Sequence, residues 1–123
     1  MAARLTQIDY DRDMAFLLLD GPKHGPRDGE ELLGVGRLAA DPGFEQAEFA
    51  LIVASDRQRH GYGRLLLDRV LDYARQRGIK RVVGYVLREN HRMLDLTEQL
   101  GFRRESGRAG NADICVVKVL DRS

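Results

Sequence analysis

A chain of 123 residues with 20 Lys+Arg against 19 Asp+Glu has a net charge of +1, so its charge balance gives no case for a nucleic-acid or membrane-surface partner. Its 43% hydrophobic and 32% charged content fits one globular domain over 1–123. One cysteine, Cys115, excludes an intrachain disulfide framework. It lies in an apolar run, where a small buried thiol is the expected role. No apolar stretch approaches the ~20 residues of a membrane span. Met1-Ala2-Ala3-Arg4 opens no signal-peptide apolar region, so the cytoplasm is the expected location.

Met14 to Asp20 is a short apolar run ending at Gly21-Pro22, and reads as a buried strand. Gly21 to Gly29, rich in glycine and proline, reads as a loop. Leu32 to Ala40 is a second strand, with a turn at Asp41-Pro42-Gly43, and Ala47 to Ala54 is a third. Those turns imply two antiparallel hairpins. The period then changes. Leu66, Leu67, Val70, Leu71 and Ala74 recur at helical spacing between Gly63 and Gly78. Lys80 to Leu87 is a valine-rich strand. Asn90 is placed to cap a helix carrying Met93, Leu94 and Leu100 that stops at Gly101. Ile114 to Leu120 is a final strand. The order strand-strand-strand-helix-strand-helix-strand implies a mixed α/β sheet. The charged run Asp9 to Asp13 reads as a solvated face or turn.

The segment that carries chemistry is Gln58-Arg59-His60-Gly61-Tyr62-Gly63-Arg64, between a strand and a helix. Glycines let the backbone turn and approach a ligand closely. A helix start offers unpaired N–H groups and the positive end of the dipole, which suit phosphate. Arg59 and Arg64 can add charge-assisted contacts. A tight turn with a solvated basic rim is the competing explanation. The segment is not a P-loop, since no Gly-Lys-Ser/Thr follows, and Leu66 stands where a dinucleotide fingerprint needs its third glycine. His24, His60 and His91 lack metal-ligand spacing and read as surface residues, so no metal is expected.

Gln58-x-x-Gly61-x-Gly63 resembles the acetyl-CoA signature of the GNAT acetyltransferase superfamily. Two further segments agree. Glu89-Asn90 followed by Met93, Leu94 and Leu100-Gly101-Phe102 resembles that family's downstream helix, and Ala47-Glu48-Phe49-Ala50 resembles the strand that carries its base. The likeness runs from Met14 to Val119. Residues 4–16 also resemble bacterial Pat-type protein lysine acetyltransferases. The implied fold is a GNAT-like mixed α/β sheet with helices on both faces. The implied activity is transfer of an acetyl group from acetyl-CoA, as co-substrate, to an amine. CoA pyrophosphate would lie on backbone N–H groups from Arg59 through His60, Gly61, Tyr62 and Gly63 to Arg64, beyond Gln58. The pantetheine arm would pair with backbone at Ile52, Val53 and Ala54. Asn90 would approach from the opposite side, a role compatible with capping.

The chemistry needs a neutral amine, and a lysine side chain is almost wholly protonated at neutral pH. A carboxylate must accept that proton, directly or through water. Glu48 is the candidate, in the otherwise apolar run Phe49 to Val53, where burial would make it a stronger base. An exposed glutamate at a strand start is the competing reading; Glu45, in the turn, is the fallback. A strand-end N–H near Val53 would steady the oxyanion. Many members of the family hold a tyrosine acid where this chain has Thr97, and Tyr85 on the preceding strand is not assigned that role, so the acid stays open.

The resemblance also marks a departure. The family's fold begins with a strand and two helices, whereas only thirteen residues precede Met14 here. The first strand and the amine-side wall are therefore expected to be missing, as in a fragment of a longer protein. The bared apolar strand is expected to be covered by a second copy, as a homodimer. Four functions remain open: a protein lysine acetyltransferase, a small-amine acetyltransferase, a non-catalytic acetyl-CoA-binding regulatory module, and a scaffold.

Overall fold

A computed structural model describes residues 3–20, 31–54, 61–105 and 112–120. In chain order these form strands β1 (Ala3–Asp9), β2 (Asp13–Asp20), β3 (Glu31–Ala40) and β4 (Gln46–Val53), helix α1 (Tyr62–Gln76), strand β5 (Arg81–Leu87), helix α2 (His91–Gln99), and strands β6 (Arg103–Glu105) and β7 (Asp113–Val119). Among the described residues the sheet runs β1-β2-β3-β4-β5-β7-β6. Every neighbouring pair is antiparallel except β4 and β5, which α1 joins as a crossover. The mixed sheet agrees with the sequence reading, and so do both hairpins and both helices.

Period-2 alternation sorts each strand into two faces. Met14, Phe16 and Leu18 of β2, Leu38 of β3, and Ala47 and Phe49 of β4 are buried on one face, as are Val82 and Val86 of β5 and Val116 of β7. Leu66, Leu67, Val70, Leu71 and Ala74 of α1 close over that face. Leu94 of α2 joins the same core. Both helices therefore lie on one side of the sheet. This corrects the expectation of helices on both faces. The physical reason is the link from β1 to β2, which is only Tyr10, Asp11 and Arg12 and is too short to hold a helix. On the other face Ala15, Leu17, Leu19 and Val35 are half-buried, and Ile52, Tyr85, Leu87 and Val119 are exposed. Cys115 is a buried free thiol in a small cluster with Val83 and Val117 on that side.

The first strand is not missing, which corrects the second expectation. Residues 3–9 pair with β2 along their whole length, from Ala3 opposite Asp20 to Asp9 opposite Met14. Leu5 packs on the core, while Arg4, Thr6 and Ile8 share the other face. The polar residues hid this strand, because its edge position asks for few apolar groups. The Asp9–Asp13 run is the hairpin turn, closed by the Tyr10 N–H donating to the Asp13 carbonyl at 2.7 Å.

The parallel ladder between β4 and β5 is short. It pairs Gln46, Ala47 and Glu48 with Arg81, Val82 and Val83 and then ends. Just past its end the Phe49 ring lies over Gly84 and meets Phe102 edge-on, with ring centroids 5.4 Å apart. A side chain at position 84 would collide with that ring. Gly84→Ala is therefore expected to destabilise the fold by about 1–3 kcal/mol, the usual range for overpacking. Thermal unfolding checks it: an unchanged melting temperature would show that Phe49 yields freely.

Candidate active site

Because the ladder stops at Glu48 and Val83, β4 and β5 diverge beyond it. Backbone groups of a strand alternate between its two neighbours. The Glu45 carbonyl accepts from the Lys80 and Arg81 N–H groups on the β5 side, whereas the Ala54 N–H donates to the Leu33 carbonyl at 3.0 Å on the β3 side. The alternation thus aims the backbone N–H and C=O of Leu51 and Val53 into the gap, past the last ladder pair.

The gap opens into a cleft of about 570 Å³ between the end of β4, the start of α1, and α2. Leu51, Ile52 and Val53 line it from β4, Gly61, Gly63 and Arg64 from the α1 start, and Asn90, Met93 and Leu96 from α2. At its mouth the helix α1 has no side-chain cap and no acidic residue in its first turn. Its first intrahelical bond runs from the Leu65 N–H to the Gly61 carbonyl at 3.1 Å. The N–H groups of Gly63 and Arg64 precede that bond and so have no partner within the helix. Gly61 holds φ 77°, the left-handed region that favours glycine. The arrangement is a donor cluster at the positive end of a 15-residue helix, beside a strand edge with unladdered backbone. It can hold an anionic group at the mouth and an amide-bearing chain along the edge.

Of the residues singled out from sequence, Ile52, Val53, Gly61, Gly63, Arg64 and Asn90 line one cleft. Arg64 is held only loosely, 3.8 Å from Asp68 on the exposed side of α1. Tyr62 is turned instead against the core. Ala54 has its N–H committed to Leu33, so Leu51 and Val53, rather than Ile52 and Ala54, present backbone to the gap. Gln58, Arg59 and His60 lie outside the described residues, as does His24. Asn90 caps α2, its Oδ1 accepting from the Met93 N–H at 3.2 Å, while it also faces the cleft. Arg92, Asp95 and Gln99 line the cleft too and were not foreseen. Their only sequence signal is i, i+3, i+7 spacing on α2, which a solvated helix face shares.

Glu48 stands at the fork, in the last ladder pair, but on the sheet face away from the helices and exposed. The expected burial is therefore absent; alternation turns Ala47 and Phe49 inward and Glu48 out. Glu45 is paired with Lys80 at 3.8 Å, at the far end of β4 from the cleft. Thr97 is 1% exposed and its hydroxyl donates to the Leu94 carbonyl at 3.0 Å, so it does not face the cleft.

Comparison with known proteins points the same way. The sequence profile of the acetyltransferase (GNAT) family matches residues 3–102. An acetyltransferase of Pseudomonas aeruginosa is 35% identical over 100 residues, which covers 80% of this chain and 51% of that protein. The chain thus spans about half the length of that relative. The ribosomal-protein-S18-alanine N-acetyltransferase of Escherichia coli has a similar fold, with a TM-score of 0.71 at 21% identity over 94% of this chain and 74% of that one. The spermidine N-acetyltransferase of Vibrio cholerae, in complex with CoA and spermine, gives a TM-score of 0.71 at 22% identity over 89% and 66%.

Proposed function

The chain belongs to the GNAT acetyltransferase family, and on that footing we propose that it transfers the acetyl group of acetyl-CoA to an amine, with the cleft as the CoA site and Glu48 as general base. The observation that carries this reading is the uncapped start of α1 and the unladdered edge of β4 opening into one cleft. Pyrophosphate fits the N–H groups of the α1 start, where the dipole favours negative charge. The pantetheine amides fit the backbone of Leu51 and Val53, as an added strand would. This leaves the thioester in the gap beside the last ladder pair.

The amine comes from the face without helices, where Glu48 stands. Its nitrogen bonds to the thioester carbonyl carbon, the C–S bond breaks, and the electron pair leaves with sulfur. Before attack the ammonium passes one proton to Glu48 through water, which an exposed carboxylate can reach, and nitrogen gives its second proton to solvent as the amide forms. Backbone N–H groups at the β4 edge receive the oxyanion. Thr97 has no part in returning a proton to sulfur, because its hydroxyl is spent on Leu94; solvent supplies it.

The acceptor is a protein lysine in this reading. Among the described residues of β3, β4 and β5 the neighbours of Glu48 on this face are Ala39, Gln46, Ala50, Val83, Tyr85 and the cations Arg37 and Arg81, with no second carboxylate. A polyamine carries several positive charges and calls for several carboxylates. Among the described residues the other carboxylates of this face stand on strands that do not border the gap, Asp13 on β2, Asp113 on β7 and Glu105 on β6, the last paired with Arg81 at 3.3 Å, and a single carboxylate beside the gap suits a single amine on a polypeptide. The half-buried residues Ile8, Leu17, Leu19 and Val35 occupy the β1–β3 half of the same face. We place a homodimer contact there, leaving the gap open.

Gly61→Glu is expected to abolish acetyl-CoA binding in calorimetry, since it puts bulk and negative charge where pyrophosphate sits and a β-carbon at positive φ. Unchanged affinity in a folded variant would remove the cofactor assignment. Glu48→Gln is expected to lower turnover by ~10²–10⁴-fold with acetyl-CoA affinity unaltered. Equal rates for variant and wild type across pH 6 to 9 would eliminate Glu48, and binding without turnover in either would favour a regulatory binding module. In sedimentation at micromolar concentration the protein should run as a dimer; a monomer mass would show that the bare β1–β3 face needs no cover.

A further inference from the structure

Tyr85 is on β5, two residues past Val83, the ladder partner of Glu48. Alternation puts Tyr85 on the face of Val83, and so on the face of Glu48. Diagonal neighbours on one sheet face lie within reach of long side chains, and here the strands between them have parted. Tyr85 and Glu48 thus flank the same gap from its two sides, on the side away from the helices. Tyr85 is 39% exposed, between buried Val83 and exposed Leu87 along that face of β5 and opposite Cys115 of β7. Among the described residues neither the Tyr85 hydroxyl nor the Glu48 carboxylate has a hydrogen-bond partner. The fold therefore makes no use of the phenol oxygen, and a phenylalanine ring would pack equally well.

We propose that the Tyr85 hydroxyl receives the acceptor amine, its oxygen accepting an N–H bond from the attacking nitrogen while Glu48 takes the first proton that nitrogen sheds. A phenol can accept and donate at once. It can hold the amine from one side of the gap and leave the lone pair aimed at the carbonyl carbon. Tyr85 gives up no proton in the balance: the ammonium loses one to Glu48 before attack, nitrogen loses a second to solvent as the amide forms, and sulfur leaves with its electron pair and takes a proton from solvent. The leaving sulfur is not its partner, because the CoA arm enters from the helix face and Tyr85 is on the other. This inference rests on the acetyl-transfer reading and adds to it the residue that holds the acceptor.

The test measures binding to the whole chain by calorimetry. The probes are acetyl-CoA and a bisubstrate conjugate, in which the sulfur of CoA is joined through an acetyl bridge to the side-chain nitrogen of a lysine peptide. Tyr85→Phe should weaken the conjugate about tenfold, one neutral hydrogen bond at ~1.4 kcal/mol per decade, and leave acetyl-CoA affinity unchanged. In turnover with the lysine peptide the variant should raise the acceptor KM and spare the acetyl-CoA KM. Equal conjugate affinity for variant and wild type would overturn the role of Tyr85 alone. Equal weakening of both probes would also overturn it, by showing a structural effect. Failure of the wild-type protein to bind acetyl-CoA would overturn the role and the acetyl-transfer reading together.

Discussion

The Phe49 ring over Gly84 is the contact on which the site depends. Parallel strands prefer to continue pairing, and β4 and β5 are each long enough to do so. Instead the ladder ends after Glu48 and Val83, and the aromatic ring fills the space above the next residue of β5. Phe102, arriving directly after α2, braces that ring edge-on. The same contact ties the start of the divergence to the end of α2, so the wall of the cleft and the fork in the sheet are set by one packing unit. Divergence leaves Leu51 and Val53 with backbone groups that no strand satisfies. Buried polar backbone demands a partner, and an open edge beside a helix N-terminus is a place where a ligand can supply one.

The fork also separates two approaches. Both described helices lie on one face, so the cleft that suits an anionic, amide-bearing molecule is on that side. Glu48 and Tyr85 are on the other. In the proposed reaction the two substrates meet in the gap from opposite faces without competing for space. A sheet is a good wall for this purpose, since its thickness is one residue and its alternation lets adjacent positions serve opposite sides. Phe49 turns inward to pack, and its neighbour Glu48 turns outward, to the side from which the proposed amine would come.

Much of this was legible in the amino-acid order. The 3.6-residue period of α1, the apolar runs of β2 to β5 and β7, and the glycine turn before α1 all carry strong local signals. Asn90 was readable as a cap because its chemistry is local. What was not legible depends on tertiary arrangement. β1 has alternating polar residues suited to an edge, and its apolar content alone did not reveal it. β6 is three exposed residues that owe their extended shape to β7. Which backbone groups of β4 face the gap depends on the register with β3 and β5, and the register turns Leu51 rather than Ala54 toward it. The exposure of Glu48 had the same origin: its apolar sequence neighbours suggested burial, while the bare face opposite the helices left it in solvent.

That bare face has a consequence for how the acceptor is held. The β1–β2 link of three residues leaves the amine side of the gap without a wall of its own from that part of the chain. Glu48 can take a proton and Tyr85 can hold a nitrogen, but two side chains on a flat surface fix the direction of approach only weakly. Orientation is a large part of rate enhancement, so something must bound the acceptor. An acceptor that is itself a folded surface brings its own wall, with its lysine projecting into the gap. A second copy seated on the β1–β3 half would do the same from the side, because Ala39 and Arg37 of β3 border both Glu48 and that apolar half. Either arrangement makes a short, open amine side serviceable for a large acceptor. A small free amine gains nothing from either unless the partner reaches over the gap.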